Sequence, residues 1–255
     1  WGRFADAVAI AKQTVRLSAA FADTGGMDWL AWAYGNLGMT ESADYWMNQM
    51  LEDGRFDLSS LGAARNLLKT RGTDSELGAS LHQFVNHIDF KQGEDQPWDL
   101  CQFGLVNIHM GDYEKGAYQL DYGLRLYQAD PRNGQAEADN SLDIAAIQSS
   151  PDDIAFVMHL LAFAYQQTGK DDKAQEILSA LSDAFEMESN ALHQIMIGNT
   201  DGALQIMQPG HWNDWTSDYG PGKYYEITND PAWAEAIKTP EFQVLLAEMK
   251  EDVDR

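Results

Sequence analysis

The chain of 255 residues has a single cysteine, Cys101, and few basic side chains. One cysteine excludes an internal disulfide bond and a cysteine-based zinc site. Lysine and arginine together number 17 against 40 aspartate and glutamate residues, which gives a formal net charge of −23. Because a phosphate backbone or an anionic membrane surface repels such a chain, nucleic acid and membranes are not expected partners. The charge itself is explained by a solvated acidic surface, or alternatively by a patch that selects a cationic ligand.

Long apolar runs and strand patterns are also missing. No run of about 18 apolar residues occurs, so no membrane-spanning helix is predicted. Few Val, Ile or Thr residues alternate with a period of two, so no strand is predicted. Of the seven prolines, Pro151, Pro231 and Pro240 each follow Ser, Asp or Thr, which predicts three helix starts at these positions.

Signals of catalysis are equally scarce. The six histidines form no HExxH pair or other recognised ligand spacing, and the GxSxG elbow, the phosphate loop and the dinucleotide fingerprint are absent. Cys101 has no activating base nearby in the sequence. The acids of the segment 129–150 do not reproduce an EF-hand loop, so a solvated insertion is preferred there to a calcium site. No cofactor, no metal and no catalytic residue are therefore predicted.

One pattern recurs along the chain. A small residue and an aromatic precede a glycine, and alanine or glycine follows five residues after it. It predicts two antiparallel helices, because small residues let the axes approach and the glycine accepts the left-handed conformation that ends the first helix. Weaker copies centre on Gly72 and Gly198. The clearest copies are Ala31, Tyr34, Gly38 and Ala43; Gly104, Asn107, Gly111 and Gly116, with Asn107 in place of the aromatic; and Ala162, Tyr165, Gly169 and Ala174.

The spacing of these copies resembles a known family. Gly38 and Gly72 lie 34 residues apart, which is the repeat length of tetratricopeptide repeat (TPR) proteins. The chain resembles a TPR protein over most of its length, with the best copies at 27–55 and 154–186. The resemblance implies an all-α, right-handed superhelical solenoid of antiparallel helix pairs with a concave groove.

The domain boundaries follow from the repeats. Helical repeats are expected over 1–207, with the insertion at about 129–150, and an aromatic-rich C-terminal capping segment over 208–255. The aromatic residues of 208–233 are expected to cover the last repeat, with a ligand pocket as the alternative. The opening segment resembles the second half of a helical pair, so a longer protein is expected.

In the TPR family the groove is lined by the first helix of each pair. Carried over from the turn glycines, the resemblance implies that the groove is lined by Asp28, Trp32, Asn66, Lys69, Trp98, Leu105, Ile108, Phe156, His159, Phe163 and Gln166. Packing between neighbouring pairs is the alternative for the aromatic members. Family members that hold an acidic peptide use several basic residues, whereas Lys69 is the one basic residue here. A neutral, apolar or cationic protein or peptide partner is therefore favoured.

The tail DPAWAEAIKTPEFQVLLAEMKED resembles the end of TPR regions attached to bacterial adenylate cyclase-like receptors and membrane-anchored winged-helix regulators. The leading hypothesis is a non-catalytic protein-interaction or sensory module of a bacterial signal-transduction protein. The alternative is a structural scaffold in an envelope or secretion complex, which a homodimer formed through the groove would favour. An enzyme is the third hypothesis. The single cysteine is compatible with the cytoplasm and the periplasm alike.

Overall fold

The computed structural model describes residues 27–36, 39–52, 76–85, 97–129, 151–185, 190–207 and 227–253, together with ten isolated positions. Within these residues the chain is mostly helical and contains no strand, which confirms the all-α prediction. The helices are α1 Met27–Asn36, α2 Thr40–Glu52, α3 Glu76–Val85, α4 Pro97–His109, α5 Tyr113–Ala129, α6 Pro151–Gln167, α7 Asp171–Ala184, α8 Ala191–Met196, α9 Thr200–Ile206 and α10 Pro240–Val253.

The chain divides into two compact units, which are described separately. One comprises Trp1–Asn86, Trp212–Asp230 and Ile237–Arg255 and contains α1 to α3 and α10. The other comprises His87–His211 and Pro231–Ala236 and contains α4 to α9. The expected boundary after residue 207 stays a prediction. Residues 130–150 and most of 208–226 lie outside the described part, and so do the insertion and the aromatic cluster that were predicted there.

Consecutive helices pack against each other as pairs. In the described part of the chain these are α1 with α2, α4 with α5, α6 with α7, and α8 with α9, called pairs 1 to 4 below. The direction is clearest in pair 2, where Gly116 of α5 lies against Ile108 while Gly123, further along α5, lies against Cys101. Because α4 is met in reverse order, the two helices are antiparallel.

The turns of pairs 2 to 4 are built in the same way. Gly111, Gly169 and Gly198 have φ angles of 82°, 70° and 82°. The residue after each glycine donates its backbone N–H to the carbonyl five residues back, at 2.9 Å, 2.8 Å and 2.7 Å respectively. This bond, closed over a left-handed residue, is the Schellman motif that ends a helix. The predicted role of these three glycines is confirmed, while Gly38 and Gly72 lie outside the described residues.

The residue that ends the first helix also starts the second. In pair 1, Met39 donates to the carbonyl of Tyr34 at 2.9 Å and accepts from the backbone N–H of Ala43 at 3.1 Å. The corresponding residues of pairs 2 to 4 accept in the same way from Gly116, Ala174 and Ala203. Ala43, Ala174 and Ala203 are at most 1% exposed, as expected of small residues at a close approach of two helices.

Pair 2 is packed more closely than alanine permits. A Cβ atom on Gly116 would lie 2.5 Å from Cγ1 of Ile108 and 2.9 Å from the carbonyl oxygen of Gly104. A Cβ atom on Gly104 would lie 2.6 Å from Cγ of Leu120. Glycine at both positions is therefore required by the distance between the two helices.

Successive pairs of the second unit also contact each other. The first helix α6 packs against the first helices α4 and α8, and against α5. A short 3-10 helix at Pro231–Trp233 packs against α8. The predicted helix starts at Pro151 and Pro240 are confirmed. At Pro231 no α-helix begins, and two short 3-10 helices, Pro231–Trp233 and Ala236–Lys238, lie there instead. None of the described helices is long and apolar enough to cross a bilayer.

Candidate functional site

The predicted groove positions of the first unit remain predictions. Asp28 and Trp32 lie within α1, and Asn66 and Lys69 lie outside the described residues. The other seven positions belong to α4 and α6 in the second unit, where the structure shows how accessible each side chain is.

Three of these seven side chains lie in the core. Leu105, Ile108 and His159 are each 0% exposed, so in this structure they present no surface to a ligand, contrary to their predicted place in the groove. Ile108 is covered because Gly116 brings the second helix of its pair into contact with it. His159 is covered because its ring meets a second histidine from the next pair, as described below.

Phe163 lies between two pairs. Its side chain is 7% exposed, and its ring meets Tyr113 of pair 2 edge to face, with centroids 5.6 Å apart and planes at 87°. This geometry is a favourable one for two aromatic rings. The alternative interpretation of the aromatic positions, packing between neighbouring pairs, therefore applies to Phe163.

Three predicted groove side chains keep part of their surface. Trp98, Phe156 and Gln166 are each half-buried. The ring of Trp98 lies 5.9 Å from that of Tyr127 on α5, at a tilt of 57°. Of the seven predicted groove residues in the second unit, these three, on two successive first helices, are the ones with accessible surface.

A polar cluster surrounds Tyr165 where pairs 2 and 3 meet. The ammonium groups of Lys170 and Lys173 lie 5.7 Å and 5.3 Å from the centre of its ring, within cation–π range. Burial, followed by the negative charge of Asp121, raises the pKa of the Tyr165 phenol to about 12. Asp121 also receives a bidentate hydrogen bond from Arg125, at 2.9 Å and 3.1 Å. The cluster therefore holds a neutral phenol between charges of both signs.

A second polar cluster joins three helices through two buried histidines. Nε2 of His159, on α6, lies 2.9 Å from Nδ1 of His193 on α8. Nε2 of His193 lies 3.0 Å from Oγ of Ser182 on α7. The Ser182 hydroxyl donates to the carbonyl oxygen of Leu178 at 3.1 Å. We call this chain of His159, His193 and Ser182 the histidine relay.

The hydrogen bonds assign the protons of the histidine relay. Because the hydroxyl hydrogen of Ser182 goes to Leu178, its oxygen accepts from Nε2–H of His193, which leaves Nδ1 of His193 as an acceptor. That nitrogen accepts from Nε2–H of His159. Nδ1 of His159 then carries no hydrogen, and it has no hydrogen-bond partner although it is buried.

Both histidines of the relay are held in the neutral form. His159 is 0% exposed and His193 is 2% exposed. Burial, followed by the proximity of His193, lowers the pKa of His159 to about 3. Burial also lowers the pKa of His193. A charged imidazole is disfavoured at both positions because both rings are almost wholly removed from water.

The geometry of the relay fits neither a metal chelate nor an activated serine. The two ring centroids are 5.2 Å apart, close to the 2.9 Å nitrogen contact plus one ring radius on each side. The nitrogens therefore point at each other and not toward a shared metal position. The described residues contain no group of three or more metal-ligating side chains. Ser182 already donates its hydrogen to Leu178, so His193 does not act on it as a base.

Sequence reasoning missed the relay. The sequence predicts His159 as a groove residue and every histidine as a separate helix residue without a histidine partner. His159 and His193 are 34 residues apart, the same spacing as Gly38 and Gly72, but they occupy different positions relative to their turn glycines. No local pattern in the sequence therefore signals their contact.

The lone cysteine is chemically inert in this fold. Cys101 is fully buried in α4, and burial, followed by the charge of Asp99, raises the pKa of its thiol far above the ordinary range. The thiolate, which is the reactive form, is therefore not populated.

Comparison with known proteins gives no relative. No protein-family model, no curated protein and no solved structure matches the chain.

Proposed function

We propose that the chain is a TPR-like, non-catalytic binding module that holds a neutral, apolar or cationic peptide or protein segment on the first helices of its pairs. The observation that carries this proposal is one turn repeated in four pairs, with the same N–H to carbonyl bond across five residues. In the second unit, where such pairs follow one another in contact, a regular stack places one face of each first helix along one side. A right-handed superhelix with a concave groove is part of the proposal.

Two further observations support it. The first helices α4, α6 and α8 contact one another in succession, as stacked pairs require. Trp98, Phe156 and Gln166 of the first helices are half-buried, so each offers a ring or an amide to a partner. The net charge of −23 favours a cationic segment over an acidic one.

The biological setting rests on the resemblance of the tail alone. On that ground we propose a sensory or protein-interaction role in a bacterial signal-transduction protein, in which occupancy of the module is passed to an effector. A structural scaffold is the competing function, and it predicts self-association or a protein partner without any peptide ligand.

Peptide binding tests the proposal. Fluorescence anisotropy with three labelled sets of short peptides, cationic, neutral apolar and acidic, should show binding by the first two sets only. Trp98→Ala and Gln166→Ala should each weaken binding at least about tenfold, as loss of a well-packed contact does. Tyr118→Ala is the matched control, because Tyr118 is 63% exposed on a second helix.

Three results would contradict the proposal. The first is binding of acidic peptides as tight as that of cationic ones. The second is a loss of affinity on Tyr118→Ala but not on Trp98→Ala, with circular dichroism showing that both variants fold. The third is no binding by any set, which would favour the scaffold function.

A further inference from the structure

The histidine relay is the main side-chain link between pairs 3 and 4. It connects α8 to α6 through His159 and to α7 through Ser182. Among the described residues, the other side-chain hydrogen bond from α8 toward pair 3 runs from Nε2 of Gln194 to the carbonyl of Met187, and at 3.4 Å it is long. Whatever weakens the relay therefore weakens the attachment of pair 4.

The relay has hydrogen-bonded positions for the two hydrogens of the neutral rings and for no third one. The two rings share one hydrogen between Nε2 of His159 and Nδ1 of His193, and a second lies between His193 and Ser182. A third hydrogen has one place left if both bonds are kept, which is Nδ1 of His159. That atom is buried and has no acceptor. One added proton thus creates a buried charge and an unpaired buried donor together, and both are costly.

In the described part of the chain, the elements packed against the two rings place no charged side chain where it would stabilise the cation. The other residues of α8 and of the 3-10 helix Pro231–Trp233 are not titratable. The charged residues of α7 and α9 are exposed. On α5, Asp121 and Arg125 act on each other and on Tyr165, and on α4 the ring of His109 is bonded to the Leu105 carbonyl. Among the described residues, His193 is the one titratable group that acts on the pKa of His159, and burial alone lowers the pKa of His193.

We propose that the histidine relay is an acid-sensitive latch, which ties pair 4 to pair 3 while both imidazoles are neutral and releases pair 4 when the two rings take up a proton. The lowered pKa values of both histidines agree with this coupling.

The release is local because pair 4 is small. Its helices have 6 and 7 residues, which is too short for helices that are stable in water without packing. In the second unit, α8 rests on α6 and on the 3-10 helix, and α9 rests on α8. Opening of the relay therefore exposes the amides of α8 and α9 while α5, in the first pair of the second unit, keeps its packing.

Hydrogen exchange followed by mass spectrometry tests the latch on the whole chain. Protection of α8–α9 and of α5 is measured between about pH 7.5 and pH 4.5, each relative to the unfolded chain at the same pH. Below about pH 6.5, protection of α8–α9 should fall at least about tenfold for each pH unit, because opening lets one or both rings take up a proton. Protection of α5 should fall less.

Two matched variants assign the effect to the relay. In His159→Gln the amide can donate to His193 or, turned over, accept from it, so the contact no longer depends on pH. In this variant the slope in α8–α9 should become shallower, because only the burial of His193 still opposes the uptake of a proton. His82→Gln, at an exposed histidine of α3, should keep the slope of the unchanged chain.

The latch is refuted if α5 and α8–α9 lose protection together, since that is global acid unfolding. It is equally refuted if protection of α8–α9 does not change with pH, or if the slope in His159→Gln is as steep as in the unchanged chain. If His159→Gln does not fold, the comparison of α5 with α8–α9 in the unchanged chain decides the matter. None of these results depends on peptide binding, so the latch and the proposed function fail separately.

Discussion

Replacement of Phe163 by alanine separates core packing from ligand contact at a predicted groove residue. The phenylalanine lies on α6, is 7% exposed and meets the ring of Tyr113 on the preceding pair. The structure therefore predicts that Phe163→Ala acts on stability. A groove residue, by contrast, would change partner affinity with little effect on the free energy of unfolding.

The size of the effect follows from two contributions. Truncation of a buried phenylalanine to alanine costs about 3–5 kcal/mol of unfolding free energy. Within that figure, the edge-to-face contact with Tyr113 contributes about 0.5–1.5 kcal/mol beyond the buried area. Phe163→Leu keeps most of the apolar volume and loses the ring contact, so it should cost about 1 kcal/mol.

Urea unfolding followed by circular dichroism measures these values. Gln166→Ala, one turn further along α6 and half-buried, is the control and should change the free energy by no more than about 0.5 kcal/mol. A double-mutant cycle of Phe163→Leu with Tyr113→Leu should give a coupling of about 0.5–1.5 kcal/mol. If Phe163→Ala lowers the free energy of unfolding by less than about 1 kcal/mol and also weakens peptide binding, the reasoning is refuted and Phe163 is a groove residue.

Three further predictions follow from the buried groups. The pKa of His159 is lowered from 6.5 to about 3 on folding, so below pH 6.5 the unfolded chain binds more protons than the folded chain. The free energy of unfolding that neutral His159 contributes is therefore complete above pH 6.5 and is lost as the pH falls toward 3. At pH 5 the loss is about 2 kcal/mol, measured as the difference between the unchanged chain and His159→Gln in urea unfolding. Gly116→Ala should cost about 1–3 kcal/mol by overpacking, and in a double-mutant cycle Ile108→Ala, which removes the Cγ1 atom that the new methyl group meets, should offset part of that cost. Gly169→Ala should cost about 1–2 kcal/mol through its left-handed backbone alone, with no such offset from Ile108→Ala. Cys101 should not react with a thiol reagent in the folded chain, because burial suppresses its thiolate. It should react once urea unfolds the chain.

The turns could be predicted from the sequence because their requirements are local. A left-handed residue at the end of a helix favours glycine whatever surrounds it, and Gly111, Gly169 and Gly198 meet that requirement. The starts of α6 and α10 at Pro151 and Pro240 are local for the same reason. The helical class and the pairing of the helices follow from these few positions.

The accessible side chains could not be predicted in the same way. Register places Leu105 and Ile108 on the first helix, but their burial depends on how close the second helix lies. That distance is set by Gly104 and Gly116 acting together, twelve residues apart. Likewise, the burial of His159 depends on His193 in another pair. Contacts between elements decide both outcomes, and no pattern within one helix encodes them.

The position four residues before each turn glycine shows which part of the repeat is fixed and which part varies. It holds Tyr165 in pair 3, but Asn107 in pair 2 and Gln194 in pair 4. In all three pairs its backbone carbonyl closes the turn. The side chains differ because their surroundings differ: Nδ2 of Asn107 donates to Oε1 of Gln119 on α5 at 2.7 Å, and Oε1 of Gln194 accepts from Asn199 at 2.6 Å. A buried amide with such a partner can stand where an aromatic ring would otherwise fill space. Because the turn uses only the backbone at this position, the side chain there is free to change from pair to pair without loss of the repeat.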